Sequence, residues 1–369
     1  MIYLMLAFAI VYALLCVFIF LGWKTLAPDW VRKSFVPQTK VSIVIAFRNE
    51  AENLPALLKD ISAQKYPEKL FEIILVDDHS QDNGSELIKS VETNNIRLLS
   101  LNDDESGKKV ALQKGIQTSD AELIVTTDAD CRLPELWLRT IINKFEKDNA
   151  KLIAGPVVFE RNLKVFQLFQ SLDFIGLQVL TGGSFALGKP VMCNGANLAF
   201  ERKAYLEHSL QKQKNGLASG DDVFTLFALQ EKFPDKVFFL KNANAIVSTV
   251  SAKDFSSFWQ QRLRWASKSA KFGKWWITAI MALVFFFNLI LLGTLIWGIF
   301  DYAVLKVFLL GFTIKFLSDA LILNSGCSFF GRKTLMRFSP IFQIPHMLYT
   351  VCVGAASQFS KYRWKGRKY

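Results

Sequence analysis

The segment Val41-Ser-Ile-Val-Ile-Ala-Phe47 is a short apolar run rich in β-branched residues, which is typical of a buried β-strand. Further apolar runs follow at residues 71–76, 96–100 and 123–127. They alternate with helical patterns, the first of which lies at residues 51–64. Strands and helices that alternate in this way build a parallel sheet with helices on both of its faces. The sequence therefore predicts an α/β fold for this part of the chain.

Acidic side chains follow the predicted strands and open one predicted helix. Three such clusters occur, Asp77-Asp78, Asp128-Ala-Asp130 and Asp221-Asp222. An acidic pair at a helix start is by itself only a favourable N-terminal cap. Ligands of parallel sheets, however, bind at the carboxyl ends of the strands. The three clusters together favour transfer of a group from a diphosphate, in which carboxylates hold a divalent cation and another carboxylate acts as a general base.

Composition excludes several other classes of protein. The chain has 369 residues, of which 51% are hydrophobic, so disorder is excluded. Its five cysteines form no CxxC pair, which argues against a zinc finger. It has no GxxxxGK[ST] phosphate loop and no GxGxxG after a strand. A P-loop nucleoside triphosphatase is therefore excluded, and a dinucleotide-dependent oxidoreductase is disfavoured.

Three apolar segments are long enough to cross a bilayer, at residues 1–23, 275–300 and 302–323. The first has no basic start and no A-x-A cleavage site, so we expect an uncleaved anchor. Residues 338–360 are uncharged but contain two prolines. We expect a re-entrant or interfacial element there, with a fourth span as the alternative.

The basic residues lie beside these apolar segments. Residues 253–274, 325–337 and 361–369 together carry 14 basic residues and one acidic residue. This distribution favours anionic lipid on the cytoplasmic face over nucleic acid as the partner. Residues 253–274 also mix aromatic with basic side chains, which predicts an interfacial amphipathic helix. We therefore expect a multi-pass protein of the cell membrane, with a catalytic domain at 24–252 and a basic tail at 361–369, both in the cytoplasm.

Four motifs, in order along the chain, resemble those of family-2 glycosyltransferases with a GT-A fold. They are the strand and loop at 41–50, Ile74-Leu-Val-Asp-Asp-His-Ser80, Thr127-Asp-Ala-Asp130 and Gln261-Arg-Leu-Arg264-Trp265. The last is similar to the QxxRW motif of the membrane-integrated members, such as cellulose and hyaluronan synthases, ceramide glucosyltransferase and bacterial lipid glycosyltransferases. The resemblance implies a Rossmann-like domain that binds a nucleotide sugar, flanked by transmembrane helices.

The resemblance also implies a role for each matching residue. The residues expected to bind a UDP-sugar donor are Phe47, Glu50, Asp77, Asp78, Lys108, Lys109 and Asp128. Asp130, with Asp128, is expected to hold Mg²⁺ or Mn²⁺. The expected catalytic residues are the general base Asp222 and its neighbour Asp221, with Gln261, Arg264 and Trp265. The loop residues expected to meet the acceptor are Asn194, Gly195 and Asn197.

The function expected from this resemblance is inverting, metal-dependent transfer of a sugar from a UDP-sugar to a lipid-type acceptor at the cytoplasmic face of the membrane. Two alternatives stay open at this point. One is a processive synthase that extrudes a polysaccharide, because QxxRW occurs in both kinds of enzyme. The other is a catalytically silent membrane scaffold with the same fold.

Overall fold

The structure is a computed structural model that describes residues 2–32, 34–91, 95–209, 220–269, 272–359, 363–364 and 367–368. The chain forms two compact units. The sheet unit comprises Leu26–Glu160 and Gly188–Val250, and the helical unit comprises Met1–Thr25, Arg161–Leu187 and Ser251–Tyr369. Residues 161–187 thus belong to the helical unit, although the sequence pattern treats 24–252 as one continuous domain.

The sheet unit is built on a seven-stranded sheet with the strand order β3-β2-β1-β4-β7-β5-β8, and β6 pairs with β9 beside it. The strands are β1 (Val41–Phe47), β2 (Phe71–Asp77), β3 (Ile96–Ser100), β4 (Leu123–Thr126), β5 (Leu152–Ala154), β6 (Val157–Phe159), β7 (Leu198–Glu201), β8 (Val237–Phe239) and β9 (Val247–Thr249). In the seven-stranded sheet, β7 alone runs antiparallel to its neighbours. The predicted α/β fold with a largely parallel sheet is confirmed.

The central strands of this sheet are covered on both faces. Every residue of β4 is buried, and β1 and β2 are buried at all but one and two positions, respectively. Such strands appear in a sequence as continuous apolar runs rather than as alternating patterns. The register pairs Phe47 with Asp77 and Val44 with Thr126. The carboxyl ends of β1, β2 and β4 therefore meet at one edge of the sheet.

Both units contain α-helices. Those of the sheet unit are α2 (Leu54–Ser62), α3 (Gly84–Lys89), α4 (Lys108–Thr118), α5 (Trp137–Asp148), α7 (Arg202–Ala204) and α8 (Asp221–Lys232). Those of the helical unit are α1 (Ile2–Thr25), α6 (Val165–Ala186), α9 (Phe255–Ser269), α10 (Trp275–Gly298), α11 (Tyr302–Phe329) and α12 (Ser339–Ala356). Two short strands, β10 (Arg363–Trp364) and β11 (Arg367–Lys368), pair near the end of the chain.

Within the described part of the chain, three helices are long and apolar enough to cross a membrane, namely α1, α10 and α11. They correspond to the three apolar segments that the sequence analysis identified. Helix α12 covers most of the fourth segment, has 18 residues and contains Pro345 within it. It is not one of the three candidate spans, and whether it lies in or on a membrane stays a prediction.

Helix α6 packs closely against α1 at two glycines. A Cβ on Gly183 would lie 2.3 Å from the carbonyl oxygen of Ile19, and a Cβ on Gly22 would lie 2.5 Å from that of Gly183. Real side chains cannot approach a backbone so closely. Small residues at such positions are what allows two apolar helices to pack backbone against backbone.

We expect Gly183→Ala to lower the thermal unfolding temperature of the protein in detergent, because the new methyl group forces α6 away from α1. Gly293→Ala is the matched control, since a Cβ on Gly293 in α10 meets no atom within 4 Å. Alanine there is expected to be neutral or stabilising, given its higher helix propensity. Equal unfolding temperatures for the two variants would contradict the close α1–α6 packing.

Candidate active site

The loops that follow β1 and β2 are tied together at the carboxyl edge of the sheet. The backbone N–H of Asp78 donates to the carbonyl oxygen of Phe47 at 2.9 Å. The carboxylate of Asp77 accepts hydrogen bonds from the Ser80 N–H at 2.9 Å and from the Ser85 hydroxyl at 2.7 Å. Asp77 therefore shapes the turn that follows its own strand.

Asn49 and His79 extend this network, and both have left-handed backbones, with φ of 55° and 58°. The side-chain oxygen of Asn49 accepts from the Gln81 N–H at 2.7 Å. The ring Nε2 of His79 lies 2.8 Å from the carbonyl oxygen of Glu105, in the loop after β3. Sequence reasoning missed Asn49, although asparagine is enriched among residues with positive φ. Three strand-end loops thus form one hydrogen-bonded edge.

Asp78 fixes the start of helix α4. Its side chain is only 3% exposed and accepts a hydrogen bond from the Gly107 N–H at 3.0 Å. Gly107 has a φ of 101°, which glycine adopts without steric strain. Lys108 and Lys109 follow as the first residues of α4. The buried Asp78 carboxylate therefore fixes the conformation of the loop that leads into these two lysines.

Lys108 forms an ion pair with Asp128, which follows β4. Burial lowers the pKa of Lys108, but the carboxylates of Asp128, Asp221 and Asp222 outweigh this effect and hold the pKa above its usual range. The ammonium group therefore stays charged and stands among carboxylates from two of the three predicted clusters.

Asp130 carries negative charge that its surroundings disfavour. Burial, together with the nearby charges of Asp128 and Glu50, raises the pKa of Asp130 to about 6, although Lys108 opposes this shift. A divalent cation would relieve the repulsion between these carboxylates, and carboxylate oxygen is the ligand that Mg²⁺ and Mn²⁺ prefer. The residues present therefore fit such an ion. Among the described residues, no three His, Cys, Asp or Glu side chains form a ready-made metal site.

Asp222 lies in the first turn of α8 and is linked to the end of β4 through Gly195. Its Oδ2 accepts a hydrogen bond from the Gly195 N–H at 3.1 Å. The carbonyl oxygen of Gly195 in turn accepts from the Thr126 hydroxyl at 2.7 Å. The chain Thr126–Gly195–Asp222 thus holds the helix start against the strand end. Asp221 and Asp222 both line a pocket beside this helix start.

A pocket of about 400 Å³ of empty space, its solvent-open part included, lies beside Asp222. Its charged lining residues are Lys108, Asp221 and Asp222, and its apolar ones include Leu112 and Phe200. The pocket therefore combines a cation, two carboxylates and an apolar wall within the sheet unit.

Asn197 supports the fold, although the family resemblance implies that it meets the acceptor. Its side chain is 1% exposed. Its amide nitrogen donates to the carbonyl oxygens of Pro156 and Ala245 at 2.9 and 2.8 Å, and its oxygen accepts from the Trp137 indole at 2.9 Å. Asn194 has a local role, since its side chain accepts from the Ala196 N–H at 3.0 Å. Of the loop residues, Gly195 is the one that contacts Asp222.

Two other groups of expected site residues do not belong to this cluster of carboxylates: one is a core residue of the sheet unit, and the other lies in the helical unit. Phe47 is only 2% exposed, so its side chain belongs to the core and its backbone alone reaches the sheet edge. Gln261, Arg264 and Trp265 are half-buried on α9, in the helical unit. The carboxylates described above all belong to the sheet unit.

A family model matches one continuous part of the chain. Residues 42–208 match the family model described as glycosyl transferase family 2. This stretch forms a family-2 glycosyltransferase domain. It includes the carboxylate clusters at 77–78 and 128–130, whereas Asp222 lies beyond the matched residues. The expected family resemblance of the domain is confirmed.

Curated relatives match about a third of the chain. A glycosyltransferase of Haloferax volcanii, AglE, is 31% identical over 121 residues, which are 32% of this chain and 40% of AglE. The undecaprenyl-phosphate 4-deoxy-4-formamido-L-arabinose transferase of Proteus mirabilis is 37% identical over 105 residues, which are 27% of this chain and 32% of that protein. The chain thus spans well under half the length of these relatives.

One solved structure is similar over almost the whole chain. It is the mannosyltransferase PcManGT of Pyrobaculum calidifontis, in complex with GDP-Man and Mn²⁺, with a TM-score of 0.60. The similarity covers 97% of this chain and 98% of that protein, at 16% sequence identity. It shows that the two proteins share a fold, and the GT-A architecture expected for the glycosyltransferase domain is confirmed.

Proposed function

We propose that this protein transfers a sugar from a nucleotide sugar, most simply a UDP-sugar, to a lipid-type acceptor. The observation that carries the proposal is the carboxylate edge of a family-2 domain, at which Asp128, Asp130 and Asp222 surround Lys108. A nucleotide sugar needs charge compensation at its diphosphate, and its acceptor hydroxyl needs a base. This edge contains groups suited to both tasks.

The proposed reaction is a single displacement with inversion at the anomeric carbon. The acceptor hydroxyl gives its proton to Asp222, and its oxygen forms a bond to the anomeric carbon. The bond from that carbon to the diphosphate oxygen breaks, and the nucleoside diphosphate leaves with the electron pair. The Gly195 N–H bonded to Asp222 at 3.1 Å supports this role, because it orients the carboxylate.

Asp128 and Asp130 are the proposed ligands of a divalent cation, Mg²⁺ or Mn²⁺. When bound, the ion would offset the charge that develops on the departing diphosphate. The raised pKa of Asp130 supports this assignment, since it reflects partial burial and the nearby charges of Asp128 and Glu50. Lys108, paired with Asp128, adds a fixed positive charge near the same atoms.

The remaining donor contacts are proposed on the strength of the family motifs. Asp77, Asp78 and Glu50 would bind the base and ribose of the nucleotide, and Lys109 would lie near its phosphates. Gln261, Arg264 and Trp265 would close over the diphosphate and the acceptor. Arginine suits this task because its forked donors match phosphate oxygens.

A lipid acceptor is favoured by the helical unit and by the named relatives. Three described helices are apolar enough to cross a membrane, and one relative is named for transfer involving undecaprenyl phosphate. We propose a multi-pass location in the cell membrane with the glycosyltransferase domain in the cytoplasm. A base such as Asp222 is needed for a hydroxyl but not for a phosphate, which is already ionised at neutral pH. The proposed acceptor group is therefore a lipid hydroxyl.

The test is nucleotide release by the detergent-purified protein, measured over a panel of UDP- and GDP-sugars with and without Mn²⁺ or Mg²⁺. We expect metal-dependent release that increases when a lipid extract is added, and one sugar on each extracted lipid molecule. A growing polymer in place of a glycolipid would identify a processive synthase and reject the single-transfer proposal. No release with any donor would favour a silent scaffold.

A further inference from the structure

Side chains of helix α6 form hydrogen bonds to the backbone just before α9, the helix that carries the QxxRW motif. The side-chain oxygen of Gln170 accepts from the Ala252 N–H, and its nitrogen donates to the Ala252 carbonyl oxygen, both at 3.0 Å. Gln167 donates to the carbonyl oxygen of Lys253 at 3.3 Å. Residues three apart share a helix face, so one face of α6 holds the start of α9.

The next residue on this face is Asp173, which forms a buried ion pair with Arg262 of α9. The carboxylate Oδ2 lies 2.6 Å from Arg262 Nη2, and both side chains are 4% exposed. The other carboxylate oxygen accepts from the Tyr349 hydroxyl of α12 at 2.5 Å. A buried charge that loses its partner destabilises its surroundings strongly. The pair therefore ties α9 to both α6 and α12.

Arg262 in turn contacts the tryptophan of the motif. Its guanidinium carbon lies 4.5 Å from the centre of the Trp265 ring and 4.8 Å from that of Phe258. Among the residues that the structure describes, Nε and Nη1 of Arg262 have no hydrogen-bond partner. The guanidinium group lies against the two aromatic rings instead. The Phe174 ring of α6 lies 6.1 Å from that of Trp265. The direction of Trp265 thus depends on groups held by α6.

We infer that Asp173 is a positioning residue, which holds α9 through Arg262 and thereby orients Trp265. The motif itself contains Gln261, Arg264 and Trp265, and the side chains that fix its helix come from elsewhere in the chain. The expected loss of turnover when Asp173 is replaced rests on the proposed function. The expected local destabilisation of α9 does not depend on that function.

The test is hydrogen–deuterium exchange of the full-length protein in detergent, with turnover measured in parallel. Asp173→Asn is expected to raise amide exchange in α9 at least about tenfold, because local opening no longer breaks an ion pair. The turnover number should fall by about tenfold or more, with the KM for the donor little changed. Unchanged exchange in α9 would overturn the inference.

Asp319→Asn is the matched control. Asp319 accepts from Lys315 and from the Tyr12 hydroxyl, both at 2.5 Å, and it lies in the same unit on α11. Its loss should lower the unfolding temperature while α9 exchange and turnover per folded molecule remain close to wild type. An equal rise of α9 exchange in this variant would mean general loosening of the unit and would overturn the specific role of Asp173.

Arg262→Lys provides a second arm if Asp173→Asn does not fold. Lysine keeps the ion pair but lacks the planar group that stacks on Trp265. We expect α9 exchange near the wild-type rate with turnover still reduced, and wild-type turnover would overturn the link to Trp265. If the wild-type protein turns over no donor at all, the proposed function fails, while the exchange measurement still decides whether Asp173 holds α9.

Discussion

Asp222→Asn is expected to lower the turnover number about a thousandfold while donor binding stays nearly unchanged, since general-base catalysis contributes about 10²–10⁴. Asparagine is the same size, and its oxygen still accepts the hydrogen bond that the Gly195 N–H gives to Asp222, so that only the contact of the second oxygen with the Val223 N–H, inside the first turn of α8, is lost. The local structure should therefore survive. What is lost is the ability to take a proton from the acceptor hydroxyl.

The measurement is the turnover number from nucleotide release, together with the donor Kd from calorimetry. Asp235→Asn serves as the control, because Asp235 is an exposed carboxylate of the same unit and should leave both quantities unchanged. A donor Kd that weakens by the same factor as turnover would show that Asp222 binds the donor and is not the base. Full activity of Asp222→Asn on a lipid phosphate would point to an acceptor that is already ionised.

Asp130→Ala is expected to abolish the metal-dependent part of donor binding, which we put at about a hundredfold in affinity. Asp130 is a proposed ligand of the ion, and its charge is crowded by Asp128 and Glu50. Removing it takes away a ligand and also the crowding that makes the site attractive to a cation. Asp128 remains paired with Lys108, so the loop after β4 should keep its shape.

Calorimetry with the nucleoside diphosphate, with and without Mn²⁺, measures this effect. In the wild-type protein the ion should strengthen binding, and in the variant the two titrations should coincide. Asp104→Ala is the control, since Asp104 is an exposed carboxylate of the same unit. A variant that still responds to Mn²⁺ as the wild type does would reject Asp130 as a ligand.

The strands at the site were predictable because their residues are buried on both faces. The run at 71–76 appears as β2 over Phe71–Asp77, and the run at 123–127 appears as β4 over Leu123–Thr126. Helix α6 was not predictable in the same way. Its apolar sequence is interrupted by Gln167, Gln170 and Asp173, whose partners lie more than 80 residues away in the chain. No local pattern reveals such pairing, so the sequence does not predict that residues 161–187 pack within the helical unit.

In the candidate site, too, local sequence patterns were predictive, whereas contacts between residues far apart in the chain were not predictable. The acidic clusters stand out because charge at the end of an apolar run is visible in the sequence. The structural role of Asn197 is not predictable from a motif, because it depends on Trp137, 60 residues earlier, and on two carbonyl groups of other loops. A motif gives the position of a residue but does not show whether its side chain points to a ligand or into the core.

The place of β7 in the sheet has a consequence for how the protein is made. This strand lies between β4 and β5, so without it the two sides of the sheet are not joined. On the ribosome, Val165–Ala186 is synthesised before Leu198–Glu201, and this apolar helix leaves the exit tunnel while the sheet is still in two pieces. Completion of the seven-stranded sheet must therefore wait until α6 has emerged. A nascent chain halted before Leu198 would expose the open edges of β4 and β5, which is the kind of intermediate that chaperones bind.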